Sequence, residues 1–375
     1  MAGIYIHIPF CKQRCLYCAF YSSTMHSRQQ EYCDALCREL EMRRNYITGI
    51  VDTVYFGGGT PSTLTREQLQ KILDTIKENY TLSPSAEITI EANPDDLLSE
   101  YLATLRSLSF NRLSMGIQSF DDAQLKALGR RHTAERARQA VEDARAAGFD
   151  NISIDLMFAL PSSTQAQWQD SIQQAISLHP THISAYNLTY EEGTPLYRAL
   201  QNGSIKAVDE DDNLKQFGTL IDTLTAAGYR HYEISNFALP GYESRHNSSY
   251  WHDIPYLGCG AAAHSYDGKS RGWNVADIKE YIDGINKGAP LFEIEQLTTA
   301  ERYNDAILTR LRTADGIPCD WIRKKFGDKL TDYMLKNAAP HIVAGRLKEQ
   351  QGYLILTRKG LFVSDAIIRD LIYVD

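Results

Sequence analysis

Apolar residues along this chain fall into short β-branched runs separated by longer stretches of helical periodicity. The first run, Ile4 to Ile8, is stopped by Pro9, and further strands are predicted over 53–56, 87–91, 112–118, 152–157 and 182–188. Helix starts stand between them. Ser27 with Gln30 reads as a capping box for a helix to about Tyr46. Thr65 with Gln68 reads as a second, flanked by Leu64 and Leu69 as a hydrophobic staple, and Thr164 with Gln167 as a third. Six short strands, each followed by a helix, predict an α/β fold of right-handed parallel units. Residues 1–285 are therefore expected to form a complete or partial TIM-like (β/α) barrel, with its ligand site at the C-terminal ends of the strands.

The pattern changes at residues 286–290, Asn-Lys-Gly-Ala-Pro, which read as a linker. Residues 286–375 are predicted to form a small helical, winged-helix-like domain. Its signals are the Thr298/Glu301 capping box, a strand–turn–strand over 345–357 and a closing helix from Gly360. Such shapes often bind DNA, but charges here are mixed without a basic stripe and the formal net charge is -8, so nucleic acid is not an expected partner. No apolar run reaches the length of a membrane span, and the N-terminus lacks the basic region of a secretory signal. The expectation is a cytoplasmic protein with no integral membrane segment.

Seven cysteines, an odd number gathered toward one end, suit a reducing compartment better than a disulfide framework. Cys33 and Cys37 keep the helical register of Leu36 and Leu40 and are expected in the core; Cys259 and Cys319 are isolated. The chemistry concentrates in Cys11, Cys15 and Cys18, three thiols in eight residues directly after the first strand. Thiolates are the ligands of iron–sulfur clusters, and a 4Fe-4S cube with three protein ligands leaves one iron for a ligand that is not protein. Zinc, completed by His7 or a distant residue, and ordinary buried thiols are the competing readings.

Polar and glycine residues gather where the strands end. Gly57-Gly58-Gly59-Thr60-Pro61-Ser62 lacks the features of a phosphate-binding P-loop and of a dinucleotide fingerprint. Its glycines let a backbone approach a ligand closely, or simply make a tight turn. Glu91, Gln118, Arg130 and Asp155 are expected at or just beyond strand ends. Together these groups suit a ligand with amine, carboxylate, ribose and adenine parts.

Cys11-x3-Cys15-x2-Cys18, with Tyr17 inside it, resembles the motif of the radical S-adenosylmethionine (SAM) enzymes. Tyr5-x-His-Ile-Pro-Phe-Cys11, Gly57-Gly-Gly-Thr-Pro61, Met115-Gly-Ile-Gln-Ser-Phe120 and Ile154-Asp-Leu156 resemble the oxygen-independent coproporphyrinogen III oxidase family in particular. The resemblance covers nearly the whole chain. It implies that Cys11, Cys15 and Cys18 hold a 4Fe-4S cluster, and that Tyr5, Gly58 and Glu91 contact SAM. Tyr17, Gly59, Thr60, Gln118, Arg130 and Asp155 match positions of a second SAM molecule or its neighbouring pocket. An electron donor such as flavodoxin or ferredoxin is implied as a partner.

The chain departs from the oxidase branch in two places. Phe20 stands where the oxidases carry a further cysteine, and Tyr5 lies almost at the chain start, where they carry a long extension. Arg245-His246-Asn247-Ser-Ser-Tyr250-Trp251 instead resembles the His-Asn-x-x-Tyr-Trp motif of the heme-chaperone branch. That branch implies heme as a third cofactor, with His246 as iron ligand, Asn247, Tyr250 and Trp251 beside it, and heme-accepting hemoproteins as partners. A histidine is a usual axial ligand and aromatic rings offer flat apolar surface; His252 and His264 are the alternatives. The first functional expectation is thus a heme chaperone on a 4Fe-4S/SAM scaffold, with SAM cleavage and enzyme activity left open. Two alternatives stand beside it: coproporphyrinogen III dehydrogenase by radical decarboxylation, and a radical SAM methyltransferase acting on heme. The oligomeric state is open, a homodimer included.

Overall fold

In the computed structural model, which describes residues 2–290 and 292–374, the N-terminal six strands run parallel in chain order. They are β1 (Gly3–Ile8), β2 (Val51–Gly58), β3 (Leu82–Ala92), β4 (Arg112–Gln118), β5 (Asn151–Phe158) and β6 (His182–Asn187). The helices between them cover the outside: α1 (Gln29–Met42), α2 (Arg66–Asn79), α3 (Ser99–Ser107), α4 (Asp122–Ala127), α5 (Ala134–Ala146) and α6 (Gln165–Ser177). Then α7 (Pro195–Gln201) and α8 (Glu210–Ala226) lead to the antiparallel pair β7 (Arg230–Glu233) and β8 (Asn236–Ala238), and β8 pairs with β6.

A short helix α9 (Arg245–Trp251) carries the chain back to β9 (Tyr256–Cys259), which runs parallel to β1 on its other side. Beyond it, β10 (His264–Tyr266), β11 (Ser270–Asn274), α10 (Ile278–Asn286) and β12 (Phe292–Gln296) extend that edge as an antiparallel meander. The order β12-β11-β10-β9-β1-β2-β3-β4-β5-β6-β8-β7 leaves β12 and β7 as separate edges, so the barrel is partial.

Three of the four expected capping boxes form, at Thr65/Gln68, Thr164/Gln167 and Thr298/Glu301. The one expected at Ser27 does not. A 3-10 turn occupies His26–Arg28, so the α-helix begins at Gln29 with Arg28 as an N-cap that makes no side-chain bond.

Each strand shows two faces. The outer one is apolar: Ile4, Ile6, Ile8, Val54, Phe56, Ile90, Leu113, Met115, Ile117, Ile154 and Leu156 are buried under the helices in one core. Burying such a side chain contributes roughly 1.5–3 kcal/mol. The inner face carries Tyr5, His7, Thr53, Tyr55, Glu87, Thr89, Glu91, Arg112, Ser114, Ser153, Asp155, His182 and Ser184, alternating with the apolar set. Barrel interiors are ordinarily filled by branched apolar layers. This lumen is lined with hydrogen-bonding groups.

The second core runs from Tyr303 to Leu371. It is built by α11 (Thr299–Arg310), α12 (Cys319–Phe326), α13 (Asp328–Val343), α14 (Arg358–Leu361) and α15 (Ser364–Leu371) on a small antiparallel sheet. That sheet has the order β13 (Ile317–Pro318), β15 (Tyr353–Leu356), β14 (Leu347–Gln350), a winged-helix-like arrangement. The closing helical segment is capped by Thr357, whose hydroxyl accepts from the Gly360 amide, and so starts before Gly360. This unit docks on the β7 edge, where Ile234 N–H donates to Arg312 O (3.1 Å) and Ala314 N–H to Tyr232 O (3.0 Å). No helix among the described residues is long and apolar enough to cross a membrane.

Candidate functional site at the mouth and floor of the barrel

The cysteine loop is tied down from three sides. Cys11 N–H donates to Ser23 O (2.9 Å), Ser23 N–H to Pro9 O (2.6 Å), and Leu16 N–H to Leu128 O (3.0 Å). Beneath it, Gly59 N–H donates to Ile8 O (2.8 Å). A Cβ at Gly59 would stand 2.9 Å from the Pro9 backbone and 3.0 Å from Cys11 Sγ, so only glycine lets the two loops pass. Cys11 is buried, while Cys15 and Cys18 are half-buried.

Side-chain donors address two of the sulfurs. Thr60 Oγ1 lies 3.4 Å from Cys11 Sγ, and Arg130 Nη1 lies 3.3 Å from Cys15 Sγ. Burial pushes the Cys11 and Cys18 thiols up, and the Thr60 hydroxyl opposes this at Cys11. Arg130 also donates to Asn93 Oδ1 and the Gly116 carbonyl, which locks it across the mouth. Tyr17 sits beside it in the loop, its phenol pushed well up by burial.

Among the described residues, no three Cys, His, Asp or Glu side chains gather closely enough to hold a single metal ion. A cube does not require that, because each thiolate binds its own iron. Three soft thiolate donors on one loop, with a glycine passing at contact distance and two hydrogen-bond donors aimed at the sulfurs, fit such a cluster.

Glu91 projects from the end of β3. Its carboxylate accepts from Tyr55 OH (2.8 Å) and from the Gly58 amide (3.2 Å). Burial, reinforced by the charge of Asp155, pushes its carboxyl up to about 7 against those two hydrogen bonds. Asp155 lies within β5, not at its end as expected, and faces the lumen through the alternation of the strand. It accepts from Ser114 Oγ (3.3 Å), and burial pushes it up to about 6. Gln118 ends β4 with φ +70° at a bulge, a left-handed conformation that is costly without glycine and is often held at working sites.

The heme-type motif lies elsewhere. Helix α9 closes the barrel at the N-terminal ends of the strands, the end opposite the cysteine loop. Glu87 receives the amides of Arg245 (3.2 Å) and His246 (3.1 Å) at the start of the helix, and Ser244 Oγ caps Asn247 N–H. His246 is 1% exposed. Its Nδ1 bonds Thr53 Oγ1 (2.8 Å), its Nε2 bonds Tyr250 OH (2.9 Å), and its ring stacks on Tyr55 at 5.0 Å. A Cβ on Gly3 would meet the imidazole at 3.1 Å. Burial, then the charge of Arg112, lowers His246 to about 3, so the ring is neutral.

Asn247, Tyr250 and Trp251 are half-buried around it. His252 Nδ1 is held by Ser248 O (2.7 Å), whereas His264 is exposed on β10 and stacks on Trp273 at 5.9 Å. The structure thus brings Tyr17, Gly58, Gly59, Thr60, Glu91, Gln118, Arg130, Asp155 and the three cysteines to the mouth and upper lumen. Tyr5 lies between them and the floor, its hydroxyl 3.1 Å from His7 Nδ1 and its ring stacked on His246 at 6.3 Å. It places His246, Asn247, Tyr250 and Trp251 at the floor.

Tyr55, Asn93, Ser114 and Arg112 complete the site and were not expected. A signal for most of them stands in the chain: polar residues at every second position of otherwise apolar strands, as in Thr53-x-Tyr55, Glu87-x-Thr89-x-Glu91 and Arg112-x-Ser114.

The Radical SAM superfamily model matches residues 5–175 and the HemN C-terminal domain model residues 297–363. The chain is 37% identical over 377 residues to the heme chaperone HemW of Bacillus subtilis (strain 168), covering 98% of each chain. It is 31% identical over 380 residues to the mitochondrial radical S-adenosyl methionine domain-containing protein 1 of Bos taurus, covering 96% of this chain and 83% of that one. Among solved structures it is similar in fold to coproporphyrinogen III oxidase (HemN) from Escherichia coli, a radical SAM enzyme. The TM-score is 0.85 at 24% identity, over 99% of this chain and 90% of that one.

Proposed function

The chain belongs to the family of the heme chaperone HemW within the radical SAM superfamily, and from that premise we propose that it binds heme and passes it to acceptor hemoproteins in the cytoplasm. The observation that carries this reading is the end-to-end likeness to relatives of that name, joined to the intact His246-Asn247-x-x-Tyr250-Trp251 sequence.

Superfamily membership implies a 4Fe-4S cluster and SAM. When bound, that pair supplies one-electron chemistry at the sulfonium of SAM. The rest is the protein's own work. Cys11, Cys15 and Cys18 hold the cluster as thiolates, with Thr60 and Arg130 donating to two of the sulfurs. Glu91 and the Gly58 backbone receive the polar groups of SAM beside Tyr5, while Gln118, Arg130 and Asp155 bound the remaining space. Roofed by the cysteine loop, the upper lumen limits the approach of water.

His246 is the proposed iron ligand. Its Nε2 is held by Tyr250, so coordination requires that bond to break and α9 to leave the floor of the barrel. His264 needs no such movement and is the alternative ligand.

The test uses anaerobically reconstituted protein. In one arm it receives heme and then an apo-hemoprotein; in the other it receives SAM, a reductant and coproporphyrinogen III. A Soret band on the protein that decays as the acceptor gains heme, without porphyrinogen turnover, is the expected result. Conversion to protoporphyrinogen overturns the reading in favour of the dehydrogenase, and a methylated or opened tetrapyrrole overturns it in favour of a heme-modifying enzyme.

A further inference from the structure

Below the mouth, the lumen holds one large cation that the cofactor seat does not account for. Arg112, the first residue of β4, is 1% exposed and is the largest fully buried side chain among the described residues. Its Nε and Nη1 are buried without a hydrogen-bond partner, and so is Oγ1 of Thr89, its register partner on β3. A guanidinium in that position is costly unless opposite charge stands close by.

Its charge acts on Tyr55 on β2, Glu91 on β3, Asp155 on β5, His182 on β6, Tyr232 on β7 and His246 on α9; Glu87 stands on β3 two residues before Thr89, and Glu233 on β7 beside Tyr232. Two of the carboxylates are already engaged. Glu87 takes the amides that open α9, and Glu233 takes Asn236 Nδ2 (2.6 Å), Ser235 N–H (3.1 Å) and Arg312 (3.4 Å). Glu91 and Asp155, like Glu87, accept only neutral donors and have no ion pair at contact distance among the described residues. But where Glu87 serves α9, these two flank Ser114, two residues above Arg112 on the same face of β4: Glu91 is its register partner and Asp155 accepts its hydroxyl.

We propose that Arg112 is a positioning residue: it is the counter-charge that Glu91 and Asp155 share, keeping both carboxylates ready for the cofactor while touching none of it itself. The electrostatics agree with that placement. Burial drives both acids up, and Arg112 acts against burial on each. Arg130 also acts on Asp155, but its guanidinium is spread over Cys15, Asn93 and Gly116 at the mouth. The proposal rests on the reading that Glu91 and Asp155 face SAM, yet its test does not need that reading.

Carboxyl titration by 13C NMR on the full chain follows Glu91 and Asp155 directly, without SAM. In Arg112→Met both midpoints should rise by about one pH unit or more, and Arg112→Lys should restore at least half of that. Midpoints unmoved in Arg112→Met would overturn the proposal. SAM affinity measured over the same pH range should shift alkaline with the carboxyl midpoints. If the midpoints move while SAM affinity is indifferent to them, Arg112 is confirmed and the cofactor role of Glu91 fails instead.

Arg112→Met could fail to fold in the native background. It is therefore also compared at pH 8 with Arg112→Met placed on Glu91→Gln/Asp155→Asn. The loss of thermal stability should be smaller where both acids are already neutral, and equal losses would overturn the proposal.

Discussion

The two ends of the barrel solve opposite problems with the same strands. At the floor, Gly3, Thr53 and Glu87 meet α9, and every polar atom of the His246 ring has a partner. At the mouth, the same strands end in thiols, a glycine run, a left-handed Gln118 and two acids raised by burial. The mouth keeps a left-handed Gln118 and two raised acids, whereas at the floor the His246 ring is fully hydrogen-bonded even though Trp251 Nε1 on the same helix is buried without a partner. The difference also says what heme binding at His246 would require. The floor must open, because both nitrogens of the ring are already bonded.

The sharpest way to break this comparison is at the thiols. Cys15 is half-buried and bonded to Arg130, and its side chain holds no part of the apolar core. Cys15→Ala should lose essentially all cluster iron and sulfide and the associated visible absorption, while far-UV circular dichroism and the unfolding midpoint stay near those of the apo chain. Iron and sulfide analysis after anaerobic reconstitution decides it; full retention would mean that the loop does not hold the cluster.

At the floor the expected loss is of stability. His246→Ala leaves the Thr53 and Tyr250 hydroxyls buried without their shared partner and opens a cavity against Tyr55. This should cost about 3 kcal/mol in urea unfolding of the apo chain. His264→Ala, on the exposed rim, should stay within about 0.5 kcal/mol of the parent. Heme titration of the same two variants sharpens the contrast. If His246→Ala binds heme like the parent while His264→Ala weakens it, the rim supplies the ligand and α9 is a structural plug.

Much of this was legible in the chain. The six parallel strands follow from alternating apolar runs, and the boxes at Thr65, Thr164 and Thr298 form because each threonine is followed by a long glutamine or glutamate at the right offset. Cys33 and Cys37 are buried in the core as their helical register predicts. The Ser27 box failed because a preceding 3-10 turn used that residue, a local competition that the motif alone does not resolve. The short antiparallel strands β7 to β12 escaped because runs of three to five residues carry little periodicity of their own. The separation of His246 from the cysteines was also hidden. It depends on which end of the barrel receives α9, and that is fixed by Glu87, a residue about 160 positions away in the chain.

The smallest expected effect tests whether the mouth is held against its own stability. Protonated Glu91 contributes stability that is fully present below its ordinary value near 4.5 and is lost as pH rises through about 7, because burial and Asp155 disfavour the charge. Glu91→Gln removes that loss. Without SAM, its thermal stability should lie near the parent's at pH 5 and exceed it by about 1 kcal/mol at pH 8, discounted for the partial exposure of the site. The same variant should bind SAM more weakly at pH 8, having lost the anion that the cofactor site offers. A stability difference that stays flat between pH 5 and pH 8 would sink the argument, and the acid at the end of β3 would then be as settled in its surroundings as His246 is at the floor.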